Sequence, residues 1–215
     1  MFSSGPIKIR EYDVVEATVE NPMERARNNK VRIASTLLDV GINLGDLNFQ
    51  DTPSRWLSYL KHYIQSYDPI NDLGVTFPPK GKSTFANAMI VQVGIPYRAV
   101  CAHHLLPVLG TAHVGYIPNR SVVGLSKLSR LIYGISHAMP SLQEDVCNEI
   151  TKALMDHLAP LGAMCVISAE HGCMSARGVE EASGCIQTVT SSIKGVFISK
   201  HEARQEFYEL IKVAS

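Results

Sequence analysis

The spacing of apolar residues changes character once along this chain of 215 residues, and that change sets its fold class. Up to about residue 66 the pattern is helical. In "NPMERARNNKVRIASTLLDVG" the residues Ile33, Leu37, Leu38 and Ile42 recur near helical spacing, and Gly41 is placed to close the helix. In "DTPSRWLSYLKHYI" Thr52 is placed as an N-cap and Pro53 suits the first turn, while Trp56, Leu57, Leu60 and Ile64 form a stripe. The stretch "DPINDLGVTFPPKGKS", dense in Pro and Gly, then reads as a connector. Beyond it, "AMIVQVGIPYRAVC", "GTAHVGYIP", "AMCVISAEHGC" and "IQTVTSSIKGVF" alternate or run apolar in β-rich residues.

Two helices are expected between the second and third of these strands, in "SKLSRLIYGISHAM" and "SLQEDVCNEITKALMDHL". In the latter Leu142, Val146, Ile150, Leu154 and Leu158 recur every four residues as one buried stripe. A last helix, "KHEARQEFYELIKV", has Ser199 and Glu202 at capping-box spacing. The order β, β, α, α, β, β, α predicts an α+β domain, an antiparallel sheet with helices on one face, over residues 81–215. An N-terminal helical annex covers residues 1–80.

Charge and composition exclude several function classes. The chain is 46% hydrophobic and 19% charged, which fits a folded soluble protein. Twenty basic residues balance twenty acidic ones, so no overall field favours nucleic acid or an anionic membrane, and an anion must be caught locally. Neither a signal peptide nor an apolar run of about 18 residues is visible, so a cytoplasmic protein is expected. The five cysteines, Cys101, Cys147, Cys165, Cys173 and Cys185, are an odd number without a secretory signal, which disfavours a disulfide framework.

The chemistry concentrates in "CAHHLLPVLG" and "EHGCMSARG". Cys101 and His104 are three apart, so in a regular strand they point to opposite faces and reach one ion only if the chain turns there. His171 and Cys173 are two apart and share a face in a strand. Cys101 and Cys173 lie 72 residues apart, so a shared site has to be assembled by the fold. Two sulfurs and one nitrogen suit zinc and leave a fourth tetrahedral position for water. The alternatives are buried apolar thiols, or a closed structural site with His103 or His171 as the fourth ligand. Cys147, Cys165 and Cys185 read as packing residues. His62, His113, His137, His157 and His201 show no clustering.

At this point the sequence resembles GTP cyclohydrolase I. The segments "DTPSRW", "CAHHLLPVLGTAHVGYIP", "VVGLSKLSR", "LQED", "HGCMSARGV" and "TVTSSIKGVF" carry the resemblance, in the family's order, over roughly residues 35–210. It implies a tunnelling fold, assembled into a decamer of two pentamers with active sites between subunits. It implies Cys101, His104 and Cys173 as zinc ligands, with His103 and His171 as acid and base groups beside the metal. It further implies GTP as substrate, attack by water at C8 of guanine, loss of formate, and 7,8-dihydroneopterin triphosphate as product.

The resemblance assigns the triphosphate to Ser126, Lys127 and Arg130 in "SKLSR", Arg177 in "SARG" and Arg55 in "TPSR". Ser126 is also placed as a helix N-cap, and helix N-termini attract phosphate. Glu144 reads the guanine edge, with Gln143 beside it. The competing role for Glu144 is a capping box with Ser141. The chain departs from the family pattern at Ala102, where Glu is common, and in "YGISHAMPSLQE", which is one residue longer. The rival reading is a noncatalytic or differently specific purine- or pterin-binding protein of the same fold. Its zinc is a brace, which requires a fourth protein ligand and no use for His103 or His171.

Overall fold

The computed structural model describes residues 22–80, 88–176 and 186–214. Two compact units are present, one ending at Ser58 and one running from Tyr59 to the C-terminus. The first holds α1 (Pro22–Asp39) and the start of α2 (Thr52–His62). Residues 59–80, grouped by composition with the annex, belong to the second unit. There the segment supplies α3 (Ile70–Leu73) and β1 (Thr76–Phe77), which pairs antiparallel with β4 (Val122–Val123).

The main sheet has four antiparallel strands in the order β2-β3-β5-β6: β2 (Ile90–Val100), β3 (Pro107–Ile117), β5 (Gly162–His171) and β6 (Thr188–Gly195). Alternation gives it two faces. Tyr97, Ala99, Val108, Ala112, Val114, Tyr116, Cys165 and Ile167 point to one side, into a single cluster with Leu128, Leu131 and Ile132 of α4 (Leu125–Ser136) and Val146, Ile150 and Leu154 of α5 (Gln143–Leu158). Four residues of the expected α5 stripe are buried, each worth about 1.5–3 kcal/mol of transfer free energy, and Leu142 is exposed.

On the opposite face Met164 and Val166 pack with Phe197 of α7 (Val196–Ser199) and Phe207 of α8 (His201–Val213). Helices α4 and α5 therefore cover one face, and α8 covers part of the other. In β2 the register slips between Gln92 and Ile95, and Gly94 takes φ +70° at this bulge, a conformation that favours glycine. Among the described residues no helix is long and apolar enough to cross a membrane.

A polar seam fixes how α5 lies on the sheet. Gln143, Cys147 and Thr151 repeat every four residues on its inner side. Gln143 Nε2 donates toward Ile167 O, Thr188 O and Thr190 Oγ1 at 3.0–3.1 Å. Cys147 Sγ donates to Cys165 O at 3.3 Å, and Thr151 Oγ1 lies 2.8 Å from Ser192 Oγ. Buried polar groups left unpaired cost about 1–3 kcal/mol each, so sliding α5 along β5 and β6 is penalised at three points. Cys147 and Cys165 are packing thiols, as expected; Cys185 lies outside the described residues.

Three expected caps are absent. Helix α2 begins on Thr52 itself, and Asp51, whose O accepts from Arg55 N at 3.0 Å, holds the place expected for Thr52. The N-cap of α8 is Lys200, without a side-chain bond, because Ser199 still belongs to the preceding turn and donates Oγ toward Val196 O at 3.4 Å. The N-cap of α4 is Gly124, so Ser126 sits inside the first turn rather than at the cap.

Candidate metal centre

Strand pairing closes the 72-residue gap between the two ligand segments. Val100 at the end of β2 faces Pro107 at the start of β3, and Val108 faces His171 at the end of β5. The β2–β3 connection and the exit of β5 thus meet at one edge of the ladder. The connection makes the required reversal: Leu105 N donates to Cys101 O at 2.9 Å, Cys101 N donates to Leu106 O at 3.0 Å, and Leu105 takes φ +54°. Tyr59 OH supports the turn by donating to Leu105 O at 3.3 Å.

The second segment differs from expectation. His171 is the last residue of β5, and the chain then enters the helical turn α6 (Gly172–Ser175), which carries Cys173. His171 and Cys173 are therefore not neighbours on one strand face. A side chain at Gly172 would put its Cβ 2.9 Å from Pro107 O, so glycine lets this turn close onto the start of β3. Cys173 is brought up to the β2–β3 turn as a result.

Cys101, His104 and Cys173 form the one group of this kind among the described residues, with ligand atoms all within 4.8 Å of one another. Cys101 Sγ lies 3.9 Å from His104 Nδ1. A tetrahedral ion with bonds of about 2.3 Å to sulfur and 2.0–2.1 Å to nitrogen separates such a pair by roughly 3.6 Å, so this pair fits a metal after a shift of tenths of an ångström, and the third ligand has to close by up to about 1 Å. His103 Nδ1 lies 4.0 Å from Cys101 Sγ, yet His103 is not a member of the group.

His171 Nε2 lies 2.8 Å from Gln143 Oε1. Because Gln143 Nε2 faces three acceptors, its amide orientation is settled and the oxygen turns to the imidazole. That oxygen only accepts, so His171 Nε2 donates, leaving Nδ1 as the acceptor of the neutral ring. Burial lowers the His171 pKa, and the nearby Glu144 carboxylate opposes this. Gln143 itself is 2% exposed and is engaged by the sheet and by His171.

Glu144 stands exposed in the first turn of α5. Its capping-box alternative is not formed: the N-cap is Leu142, and Ser141 Oγ donates to Met139 O. The same entry segment is tied to the metal turn, since Ser141 N donates to Val100 O at 3.2 Å and Ser141 bridges to Cys101.

Of the expected phosphate ligands, Ser126, Lys127 and Arg130 lie on α4. Lys127 Nζ is 3.2 Å from Asp72 Oδ1, whose second oxygen accepts from Tyr67 OH at 3.0 Å. Burial raises the Tyr67 pKa, and the hydrogen bond to Asp72 adds to the shift. No local pattern links Asp72 to a lysine 55 positions away. Arg55, on the part of α2 in the first unit, is exposed and paired with Asp51 at 3.5 Å. Arg177 lies outside the described residues.

Residues 29–212 match the family model described as GTP cyclohydrolase I. A GTP cyclohydrolase 1 of Campylobacter concisus is 35% identical over 191 residues, 88% of this chain and 96% of that protein. One from Saccharomyces cerevisiae is 33% identical over 91% of this chain and 79% of its own length. One from Hydrogenobaculum is 44% identical over 124 residues, 58% of this chain, and there the match spans just under two thirds of the relative, at 66%. The apo form of the archaeosine synthase QueF-Like aligns with 50% of this chain at 10% identity and a TM-score of 0.39, which adds nothing to the topology described above.

Proposed function

This chain belongs to the GTP cyclohydrolase I family, and on that premise we propose that it hydrolytically opens the imidazole ring of the guanine of GTP, giving formate and 7,8-dihydroneopterin triphosphate. The observation that carries this reading is the gathering of Cys101, His104 and Cys173, with His103 and His171 next to them in sequence. Two thiolates and one imidazole favour zinc over harder ions. Held by Cys101, His104 and Cys173, zinc would supply the Lewis acidity that makes water a usable nucleophile near neutral pH.

The remaining work falls to the chain's own side chains. His103 and His171 move protons, a task suited to imidazole near neutral pH. His171 does so through Nδ1, since Nε2 is held by Gln143. Glu144, free of any capping duty, accepts from the guanine ring N–H and amine. Ser126, Lys127, Arg130, Arg55 and Arg177 serve the triphosphate, where arginine forks can hold two oxygens at once. Gln143 positions His171 rather than touching guanine.

We further propose a homo-oligomer, a decamer of two pentamers with composite active sites. The support is that β2 and β6, the outer strands of the sheet, pair on one side only among the described residues, and long open edges call for a partner. The cavity lined by Arg130 also contains none of the metal-group residues, as expected if a complete site draws on more than one chain. A cytoplasmic location fits thiols that must stay reduced to bind metal.

Incubating purified, metal-replete, assembled protein with GTP tests the reading. Formate release together with the pterin chromophore is expected. Absence of both overturns the activity and favours a protein that keeps its metal as a brace.

A further inference from the structure

We infer that the cavity between the β2 edge and the flank of α4 binds a polyphosphate chain, with Arg98 as a phosphate ligand beside Arg130. The inference rests on the triphosphate role proposed for Arg130 and is independent of the chemistry at the metal. The sequence motifs assign nothing to Arg98.

Three observations carry it. Arg98 and Arg130 both line a cavity of about 380 Å³, together with Ser129, Tyr133 and His137, and no acidic side chain lines it. Small-molecule sites commonly fall in this size range. Secondly, neither guanidinium is ion-paired with a described acid, whereas Lys127 is neutralised by Asp72 at 3.2 Å in a largely buried pair. Of the three cations near this face of α4, the two arginines therefore keep unspent charge. Two like charges on one cavity repel, and a phosphate between them removes the repulsion and accepts from both forks.

Thirdly, the wall is rigid. On β2, Arg98 stands exposed between the buried Tyr97 and Ala99 and lines the cavity, while Arg130 and Tyr133 of α4 and His137 at its C-cap follow one another at helical spacing. His137 is stacked between Tyr133, at 4.0 Å, and Tyr63, at 4.8 Å, and its Nδ1 lies 2.9 Å from Tyr133 O. The positive charge of Arg98 is felt at His137, where it adds to the effect of burial in lowering the imidazole pKa.

The ligand chemistry is a chain of linked phosphates, which the tail of GTP or free inorganic polyphosphate can supply. Calorimetric titration of the full-length assembled protein with inorganic tripolyphosphate tests the site, comparing wild type with Arg98→Ala and Arg98→Glu. Arg98 makes no described hydrogen bond, so both variants should fold, which circular dichroism checks; because it lies on the outer strand β2, size-exclusion chromatography checks that both variants assemble like wild type. Tripolyphosphate should bind about tenfold more weakly to Arg98→Ala, and more weakly still to Arg98→Glu. A dissociation constant within twofold of wild type in both variants overturns the inference.

Turnover separates the two sources. If the site holds the tail of GTP, KM for GTP rises by a similar factor in Arg98→Ala while kcat changes less. Unchanged KM with weakened tripolyphosphate binding assigns the cavity to free polyphosphate. Should wild type bind tripolyphosphate through Arg98 yet leave GTP intact, the site stands and the proposed reaction falls.

Discussion

Replacing Gln143 separates two contributions of one buried side chain. Its Nε2 places two protons among Ile167 O, Thr188 O and Thr190 Oγ1, and its Oε1 accepts from His171, so Gln143→Leu removes about three hydrogen bonds from a site 2% exposed. At about 1 kcal/mol each the loss is roughly 3 kcal/mol, and burial of extra apolar surface returns about 1 kcal/mol of it. Gln143→Glu keeps the shape but points an anion at two carbonyl oxygens, so at pH 7.5 it should cost more than leucine. For a chain of this size a net loss of about 2 kcal/mol lowers the melting temperature by roughly 4–8 °C. Thermal melts at fixed protein and metal concentration check the order Gln above Leu above Glu, because assembly makes the midpoint concentration-dependent. A glutamate variant as stable as wild type at pH 7.5 would show that Nε2 donates nothing, and the reasoning would fail. Turnover should drop in both variants with metal content unchanged.

Cys173→Ala should lose bound metal, whereas His171→Ala should keep it and lose turnover; elemental analysis of both proteins checks this, and unchanged metal in the first refutes the ligand assignment. Gly134→Ala sets a Cβ well inside van der Waals contact of the Tyr67 ring, so overpacking of about 1–3 kcal/mol should exceed the helix-propensity gain of about 1 kcal/mol. A raised melting temperature would contradict that packing. Burial lowers the His137 pKa in the folded chain, so the unfolded chain takes up this proton first as pH falls below about 6.5. Stability should therefore fall between pH 7 and 5, with a shallower slope in His137→Gln; parallel slopes would refute the assignment.

The turn at Cys101 was legible because a Cys and a His three apart cannot share one side of a strand, and the structure reverses the chain there. Helix and strand periods likewise located α5 and the four strands of the main sheet. What placed Cys173 beside Cys101 was the pairing of Val100 with Pro107 and Val108 with His171, and register of this kind is a property of strands already assembled. Cap spacing misled at Ser126 and Ser199, since the same residues also fit the turns that precede or follow a cap. Gln143 read as a partner of Glu144 by adjacency; only burial against β5 and β6 shows where its amide goes. The Asp72–Lys127 pair joins segments 55 residues apart and left no local trace.

Zinc K-edge X-ray absorption of the purified full-length protein tests the central claim most directly. Two sulfurs at about 2.3 Å, one imidazole nitrogen at about 2.0–2.1 Å and one light donor from solvent are expected. A third sulfur, a second imidazole or an absence of bound zinc would contradict the account.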